Sequence, residues 1–225
     1  MKLLGVTACV FDAYGTLFDL DSVMAGARDT LGDKAAPLAE LWRRKQLEYS
    51  WLRSLMGRHT EFWHVTGESL DYAMTALGLA DPALRARLME TYLAPRAYPD
   101  ALPLLTKLRD SGLKLAILSN GSPTMLTSAT KSAGLSDLFD KVISVEEVGI
   151  YKPHPSVYRL AVERLECQAP QIAFVSANGW DVAGAAAFGF QTVWCNRRKA
   201  LREQLPAIAH AEIAGLSELP GLLSP

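Results

Sequence analysis

The sequence predicts an α/β fold in which a parallel-sheet core carries an α-helical cap inserted after its first strand. Three observations predict this class. Several short apolar runs hardly alternate with polar residues, helical patterns separate the later runs, and a long segment near the N-terminus has helical periodicity alone. Strands that alternate with helices favour right-handed crossovers and an open parallel sheet.

Five apolar runs have the composition of strands that are buried on both faces of a sheet. In chain order they are "VTACVFD", "KLAILSN", "KVIS", "IAFVS" and "TVWCN". Helical patterns such as "DALPLLTKLRDSG" and "PSVYRLAVERLE" lie between them. The C-terminal stretch "AHAEIAGLSELPGLLSP" is typical of a last short strand followed by a helix.

The segment 19–97 is interpreted as the helical cap, and segments 1–18 and 98–225 as the core. Within the cap, "PLAELWRRKQLEYSWLRSLM" predicts a long amphipathic helix, and "ESLDYAMTALGL" and "PALRARLMETYLA" predict two more. The long helix is expected to bring the following residues near one face: Leu38, Leu41, Trp42, Lys45, Tyr49, Leu52 and Met56. No convincing strand is predicted in the cap.

Composition narrows the class of partner and the compartment. The 225 residues include 23 Lys+Arg and 24 Asp+Glu, a formal net charge of −1, which argues against a nucleic-acid partner. Cys9, Cys167 and Cys195 have neither metal-site nor disulfide spacing, so we expect buried thiols in a reducing cytoplasm. Asp12 interrupts the N-terminal apolar run too early for a signal peptide, and no stretch approaches the roughly 20 apolar residues of a membrane helix.

Polar side chains follow the ends of four predicted core segments, where an open α/β sheet binds its ligands. Each has an ordinary explanation when taken alone: an aspartate after a strand commonly caps a turn, and Asp181 could simply open a helix. Together they indicate a site assembled from separate segments. Its candidate members are Asp12, Ser119, Asn120, Lys152, Ser176, Asn178 and Asp181.

The motifs "FDAYGTLFD", "LAILSNGSP", "YKPHP" and "FVSANGWD" resemble the four signature motifs of the haloacid dehalogenase superfamily. The cap stretch "LWRRKQLEYSWLRSLM" resembles that of the L-2-haloacid dehalogenases in particular. The resemblance implies a Rossmann-like core, a helical cap, an aspartate nucleophile at Asp12 and a homodimer. It covers nearly the whole chain and is weakest over the last two dozen residues.

Most of that superfamily are phosphatases, and two positions favour dehalogenation instead. The phosphatases carry a second aspartate two residues after the nucleophile, as acid for the leaving alkoxide, and this sequence has Tyr14 there. A phenol of pKa about 10 is a poor acid at neutral pH, whereas chloride, bromide and iodide leave without a proton. A further metal-ligating aspartate of the phosphatases is replaced by Ala177. Because Lys152 can neutralise Asp12 and Asp181, no metal or other cofactor is expected.

The predicted reaction is the hydrolysis of short-chain 2-haloalkanoic acids, and the resemblance implies L-substrates and D-2-hydroxy acid products. Asp12 attacks C2 of the substrate, halide leaves, and water then attacks the carbonyl carbon of the resulting ester. Haloacetates, fluoroacetate among them, are candidate substrates. Activity on fluoroacetate depends on how closely the site surrounds a small ion, and the sequence does not decide it.

The resemblance also implies residue roles. Arg43 sits beside the apolar stripe of its helix and shares a face with Leu47, so a cation and an apolar group point towards the site. The halide is expected to contact Arg43, Asn120 and Phe62, and the substrate carboxylate to contact Ser119 and the N–H groups of Ala13 and Tyr14. Supporting and water-positioning roles fall to Thr16, Lys152, Tyr158, Ser176, Asn178 and Asp181, and the alkyl pocket to Tyr14, Leu47 and Trp180. How the activation of water is divided among Ser176, Asn178, Lys152 and Asp181 stays open.

Two other functions compete with this interpretation. One is a Mg²⁺-dependent phosphatase on the same fold, which Tyr14 and Ala177 disfavour. The other is a non-enzymatic binder of a small anion or a partner protein, which the presence of both Asp12 and Lys152 disfavours. The histidines form no metal cluster in the sequence, and Trp42, Trp51, Trp63 and Trp194 are interpreted as packing residues.

Overall fold

The core of the protein is a six-stranded parallel sheet. The structure, a computed structural model, describes residues 2–223. The order across the sheet is β5-β4-β1-β6-β7-β8, and every neighbouring pair is parallel. The strands are β1 (Ala8–Phe11), β2 (Phe18–Asp19), β3 (Arg96–Ala97), β4 (Lys114–Ser119), β5 (Lys141–Ser144), β6 (Ile172–Ser176), β7 (Gln191–Cys195) and β8 (Ala211–Ile213), of which β2 and β3 form a separate pair. The predicted α/β class with a Rossmann-like parallel core is confirmed.

The helices form two groups, one inserted in the chain between β2 and β3 and one that alternates with the strands of the core. Between β2 and β3 lie α1 (Asp21–Ala25), α2 (Arg28–Leu31), α3 (Ala35–Met56), α4 (Phe62–Ala76) and α5 (Pro82–Leu93). Along the core lie α6 (Ala101–Asp110), α7 (Pro123–Ser132), α8 (Pro155–Leu165) and α9 (Gly179–Phe188). Within residues 2–223, no helix combines the length and the apolar character needed to cross a membrane.

The chain reverses its direction of travel across the sheet at β1. From β1 it passes to β4 and β5 on one side, and then crosses to β6, β7 and β8 on the other. Phe11 is therefore in register with Ile117 of β4 and Val175 of β6. The carboxyl ends of β1, β4 and β6 lie side by side and form the crevice in which such sheets bind ligands.

The burial of β1 holds its carboxyl end in a fixed position. Ala8, Cys9, Val10 and Phe11 are fully buried because helices cover both faces, which explains why the run is apolar without alternation. Burying a side chain such as Val10 or Phe11 contributes about 1.5–3 kcal/mol each. The residue that follows Phe11 is thus presented from a rigid element rather than from a mobile loop.

Two features of the helical segment differ from expectation. Phe18 and Asp19 pair antiparallel with Ala97 and Arg96, so a two-stranded ribbon closes the base of the segment. Strands of two residues are too short to leave an alternating pattern in the sequence. The ribbon occupies both borders of the predicted segment 19–97.

The buried face of α3 is only partly the predicted one. Leu38 and Trp42 are buried as expected, and Gln46 and Ser50 continue the same four-residue spacing, whereas Leu52 and Met56 are 44% and 63% exposed. Gln46 was absent from the expected face because an amide normally stays in water. Its burial is explained by its hydrogen bonds, described below.

Candidate active site

Asp12 lies directly after β1 and is 6% exposed. Its Oδ2 accepts hydrogen bonds from Asn178 Nδ2 at 2.9 Å, Thr16 Oγ1 at 3.2 Å and Ser176 Oγ at 3.4 Å. Its Oδ1 lies 3.2 Å from Lys152 Nζ. These contacts engage both carboxylate oxygens, so the Asp12 side chain has one fixed orientation.

Lys152 bridges Asp12 to a second buried carboxylate. Its Nζ lies 2.7 Å from Asp181 Oδ2, and Tyr158 donates to Asp181 Oδ1 at 2.8 Å. Burial alone would lower the pKa of Lys152, but the charges of Asp12 and Asp181 outweigh it, and the pKa lies above its ordinary value. Burial raises the pKa of Asp181 to about 6, against the opposing effect of Lys152, and the charge of Asp12 adds to the rise. The centre is therefore a cation held between two carboxylates.

Backbone and hydroxyl donors surround the other side of Asp12. In the chain between residues 2 and 223, the N–H groups of Ala13 and Tyr14 donate to no protein acceptor. Ser119, at the end of β4, accepts from the Gly121 N–H at 3.1 Å and keeps its own hydroxyl proton to donate. These donors could hold an anionic group beside Asp12.

Asn120 and Phe62 are fixed by neighbours on opposite sides of the crevice. The backbone N–H of Lys152 donates to Asn120 Oδ1 at 3.0 Å, which turns the amide donors of Asn120 away from that bond. Phe62 opens α4, and its N–H donates to Glu146 Oε1 at 3.0 Å. Both side chains line the cavity beside Asp12.

Arg43 projects from α3 towards the carboxyl end of β6. Its Nη2 lies 3.4 Å from Asn178 Oδ1, and Asn178 in turn donates to Asp12. Its Nη1 donates to Gln46 Oε1 at 2.8 Å. Asn178 therefore lies between the Arg43 guanidinium and the carboxylate of Asp12 and contacts both.

The side chain of Tyr14 is buried against the helical segment. Its ring centroid is 5.2 Å from that of Tyr92, and its hydroxyl finds no hydrogen-bond partner in the described part of the chain. Burial raises the pKa of Tyr14 well above its ordinary value, and Tyr92 adds to the effect. Tyr14 is therefore an even weaker acid than a phenol in water.

Two cavities meet at Arg43 and Trp180. The smaller, of about 20 Å³, is lined by Asp12, Tyr14, Arg43, Phe62, Ser119, Asn120, Lys152, Asn178 and Trp180. It has room for about one water molecule. The larger, of about 1060 Å³, opens between α3 and the loop after β7 and shares Arg43 and Trp180 with the smaller. A ligand larger than water can reach Asp12 from the larger cavity only if a lining side chain moves.

The structure brings the predicted site residues together, with Leu47 and the side chain of Ala13 set back from the smaller cavity. Leu47 lines the larger cavity but not the smaller, because it projects from α3 one turn beyond Arg43. Ala13 is fully buried and lines neither; its carbonyl accepts from the N–H groups of Leu17 and Phe18. Thr16, Tyr158, Ser176 and Asp181 support the cavity lining from behind, through the hydrogen bonds given above.

Sequence reasoning missed Gln46, Trp51 and Tyr92. Trp51 was taken as a packing residue, but it lines the larger cavity and packs edge-on against Trp180, with ring centroids 5.4 Å apart. Gln46 carried a usable signal, since it is a polar residue in the four-residue stripe that contains Leu38 and Trp42. The sequence around Tyr92 gave no signal of this kind, since only the packing of α5 brings Tyr92 near Arg43.

Among the described residues, no three or more His, Cys, Asp or Glu side chains form a group that could hold a metal ion. The carboxylates of Asp12 and Asp181 are instead bridged by Lys152. The parallel sheet, the inserted helices and this carboxylate–lysine centre at the sheet's switch point define a capped α/β enzyme fold.

Comparison with known proteins identifies the family. The chain belongs to the haloacid dehalogenase-like hydrolases, whose sequence pattern matches residues 6–189. It is 45% identical over 219 residues to (S)-2-haloacid dehalogenase 1 of Pseudomonas sp. (strain CBS-3), covering 97% of this chain and 96% of that protein. A solved dehalogenase structure superposes with a TM-score of 0.96 at 43% identity, covering 99% of both chains. The L-2-haloacid dehalogenase of Xanthobacter autotrophicus, solved with chloropropionic acid covalently bound, superposes with a TM-score of 0.90 at 39% identity, covering 96% of this chain and 98% of that one.

Proposed function

We propose that the chain is an (S)-2-haloacid dehalogenase that converts short-chain L-2-haloalkanoic acids to D-2-hydroxy acids through an ester of Asp12, without a metal ion. The observation that carries the proposal is the position of Lys152, whose Nζ contacts both Asp12 and Asp181. A lysine ammonium there offsets charge on both carboxylates without a metal ion and holds Asp12 in place for attack. The similarity to (S)-2-haloacid dehalogenases over nearly the whole chain supports the same reaction.

In the first step, Asp12 forms a C–O bond to C2 of the substrate as the C–halogen bond breaks. The substrate carboxylate is held by Ser119 Oγ–H and by the N–H groups of Ala13 and Tyr14. Thr16, Ser176 and Asn178 fix the direction of the attacking carboxylate, which is worth several orders of magnitude in an oriented reaction. Attack opposite to the leaving group inverts C2, so an L-substrate gives a D-product.

The halide leaves towards Arg43, Asn120 and Phe62. A guanidinium and an amide N–H₂ donate to the departing anion, and the Phe62 ring excludes water from it. The alkyl group of the substrate packs against Tyr14 and Trp180, and longer chains extend towards Leu47. These assignments follow from the side chains that line the smaller cavity and its opening.

In the second step, water attacks the carbonyl carbon of the Asp12 ester and releases the hydroxy acid. Ser176 and Asn178 donate to Asp12 Oδ2 and would stabilise the oxyanion that forms there. Asp181 is the nearest carboxylate able to take a proton from the water, with Lys152 and Tyr158 holding it in place. The ester bond breaks at the acyl side, which restores Asp12.

A phosphatase is disfavoured by the same geometry. Its leaving alkoxide needs a proton, and the group two residues after Asp12 is the buried phenol of Tyr14, whose pKa is raised. The position at which the phosphatases carry their catalytic acid is thus occupied by Tyr14, which lines the apolar side of the cavity.

Halide release from L- and D-2-chloropropionate, measured with and without EDTA, tests the function directly. We expect chloride from the L-isomer only, at a rate that EDTA does not change, and no phosphate from an aryl phosphate supplied with Mg²⁺. Phosphate release that depends on Mg²⁺, without chloride, would instead assign the chain to the phosphatases of the family. Chloride release that EDTA abolishes would contradict the role given to Lys152.

The pH dependence of turnover follows from Asp181. Burial raises the pKa of this carboxyl to about 6, so Asp181 is ionised above that pH and protonated below it. A protonated Asp181 cannot take the proton of the attacking water, so kcat for L-2-chloropropionate is expected to fall as the pH drops through the pKa of Asp181. That pKa is lower in the ester intermediate than in the free enzyme, because esterification removes the Asp12 charge that adds to the rise. A kcat without any acid limb would contradict this assignment.

We also propose that the chain forms a homodimer in the cytoplasm. Leu55 and Met56 of α3 are 83% and 63% exposed, and Leu52 and Tyr72 add to the same apolar surface, which favours burial against a second copy. Cys9, Cys167 and Cys195 are free buried thiols, as suits a reducing compartment. Sedimentation equilibrium of the purified chain tests the dimer.

A further inference from the structure

We propose that Gln46 and Thr66 form a buried positioning pair that sets the direction of the Arg43 guanidinium and thereby the enzyme's preference among leaving halides. The predicted effect on halide preference rests on the proposed dehalogenase function. The predicted effect on the orientation of Arg43 does not depend on that function. Neither residue lines the smaller cavity, so both act through Arg43.

The pair is fully buried. Gln46 is 1% exposed and Thr66 is fully buried. A buried amide is costly unless each of its polar atoms is hydrogen-bonded. Gln46 meets this condition: Nε2 donates to Thr66 Oγ1 at 2.8 Å and Oε1 accepts from Arg43 Nη1 at 2.8 Å. The hydroxyl of Tyr92 lies 3.1 Å from Nε2 and 3.2 Å from Oε1.

The orientation of the Gln46 amide is determined by Thr66 on one side and by Arg43 on the other. Thr66 Oγ1 donates its only proton to the Phe62 carbonyl at 2.7 Å, so it must accept from Gln46, which requires Nε2 on that side. Arg43 has donors and no acceptor, so it requires Oε1 on the other side. A reversed amide would place donor against donor and acceptor against acceptor. The backbone of α4 therefore dictates, through two side chains, where Arg43 finds its acceptor.

This arrangement supplies a restraint that Asn178 alone does not. The contact between Arg43 Nη2 and Asn178 Oδ1 is 3.4 Å long, whereas the contact to Gln46 is 2.8 Å. A long, flexible side chain held by one weak bond keeps much of its rotamer freedom. With Gln46 in place, one edge of the guanidinium is anchored in the cap and its remaining donors face the site.

The consequence for selectivity follows from leaving-group chemistry. Chloride is a poorer leaving group than bromide, so its departure depends more on stabilisation of the developing anion. A guanidinium displaced by about 1 Å can cost about 100-fold in rate. Loosening Arg43 should therefore slow chloride release more than bromide release, and fluoride release most of all.

Thr66→Val and Thr66→Ser form a matched pair for the test. Valine keeps the shape of threonine and removes the shorter of the two hydrogen bonds that Gln46 Nε2 donates, leaving only the Tyr92 hydroxyl at 3.1 Å, whereas serine keeps the hydroxyl. In Thr66→Val we expect kcat/KM for L-2-chloropropionate, which reports the displacement step, to fall about tenfold to 100-fold, with a smaller loss for L-2-bromopropionate. The bromide-to-chloride ratio of kcat/KM should rise at least threefold, and Thr66→Ser should retain the ratio of the parent enzyme. Gln46→Met, which removes the acceptor of Arg43 directly, should change the ratio in the same direction.

NMR relaxation of the Arg43 Nε–H group gives a second readout that does not require turnover. Its resonance is assigned by its loss in Arg43→Lys, and Arg197, paired with Asp100 through two bonds of 2.8 and 2.9 Å, serves as the rigid internal reference. We expect the order parameter of Arg43 to fall in Thr66→Val and Gln46→Met and to be kept in Thr66→Ser. Failure of the parent enzyme to release halide would overturn the proposed function, while the relaxation data would still decide the positioning role.

Two results would overturn the inference. One is an equal loss of chloride and bromide release in Thr66→Val and Gln46→Met, which is the pattern of a merely smaller folded fraction. The other is an Arg43 order parameter that stays at its parent value in both variants, which would show that Asn178 is restraint enough.

Discussion

Halide release is expected to fall by at least about 10⁴-fold when Asp12 is replaced by asparagine, because the substitution removes the nucleophile and little else. The asparagine oxygen can still accept from Thr16, Ser176 and Asn178, so the buried site keeps most of its hydrogen bonds. An amide is not a nucleophile towards C2, and no ester forms. Initial rates of chloride release from L-2-chloropropionate measure the effect.

A surface substitution of the same type provides the control for Asp12→Asn. Asp71 is an exposed carboxylate paired with Arg85, and Asp71→Asn should leave turnover unchanged. If Asp12→Asn retained more than about a hundredth of the parent rate, the alternative of direct attack by water on C2 would be favoured over an ester, since a missing nucleophile costs far more than a missing neighbour.

Isotope labelling separates these two routes in the unaltered enzyme. With enzyme in excess over substrate in H₂¹⁸O, the oxygen of the first product comes from Asp12 if the ester forms. The heavy oxygen then stays in the carboxylate, and mass spectrometry of the peptide that contains Asp12 should show a gain of one ¹⁸O. Label that appears only in the hydroxy acid would rule out the ester mechanism.

Sequence predicted the parts of the fold that depend on long apolar runs. The run "IAFVS" coincides with β6, because a strand buried on both faces must be apolar throughout. The run "KVIS" coincides with β5, an edge strand of which only the second half is buried. The ribbon of β2 and β3 was missed because a pair of two-residue strands is stabilised by its partner and not by its own sequence. Local pattern therefore decides strands of four or more residues better than strands of two.

The candidate site divides in a similar way. Asp12, Ser119 and Ser176 were predictable as neighbours, because each follows a strand and parallel strands end at the same edge of the sheet. The contact of Arg43 with Gln46 was not predicted, although the two are three residues apart on one helix. Gln46 is buried by α4 and α5, and although it lies in the stripe of Leu38 and Trp42, nothing in that stripe shows that its amide bonds to Arg43. Packing between helices, rather than the periodicity of one helix, places the polar groups of the cap.

Removal of the positive charge in Lys152→Met is expected to lower both the stability and the activity of the enzyme. The substitution leaves Asp12 and Asp181 buried side by side with no cation between them. Breaking a buried ion pair from one side typically costs about 3–5 kcal/mol in free energy of unfolding. Urea unfolding at pH about 7.5, with activity measured on the folded fraction, should show that loss of stability and a loss in kcat of about 10³-fold, comparable to that of a lost oxyanion-stabilising group.

The pH dependence of that instability identifies its cause. Two unneutralised carboxylates raise the pKa of one another, so the folded-state value of at least one lies above the unfolded value of about 3.9. For an acid of this kind the stability penalty is present above the folded pKa and is relieved as the pH falls through it. The stability difference between Lys152→Met and the parent should therefore shrink between about pH 7.5 and pH 5. A difference that does not change with pH would mean that lost packing of the lysine stem, rather than charge, is responsible.

A second substitution completes the argument about charge. In Lys152→Met/Asp181→Asn an amide replaces one of the two carboxylates, so part of the lost stability should return at pH about 7.5, because the repulsion between two buried carboxylates is gone while Asp12 keeps its hydrogen bonds from Thr16, Ser176 and Asn178. Activity should not return, because Asp181 is proposed to take the proton of the hydrolytic water and Lys152 to hold it in place. Recovery of stability without recovery of turnover would separate the two functions of Lys152, the neutralisation of a buried charge and the preparation of the site for reaction. Recovery of both would place the hydrolytic step on other residues, with Asn178 and Ser176 sufficient to direct the water.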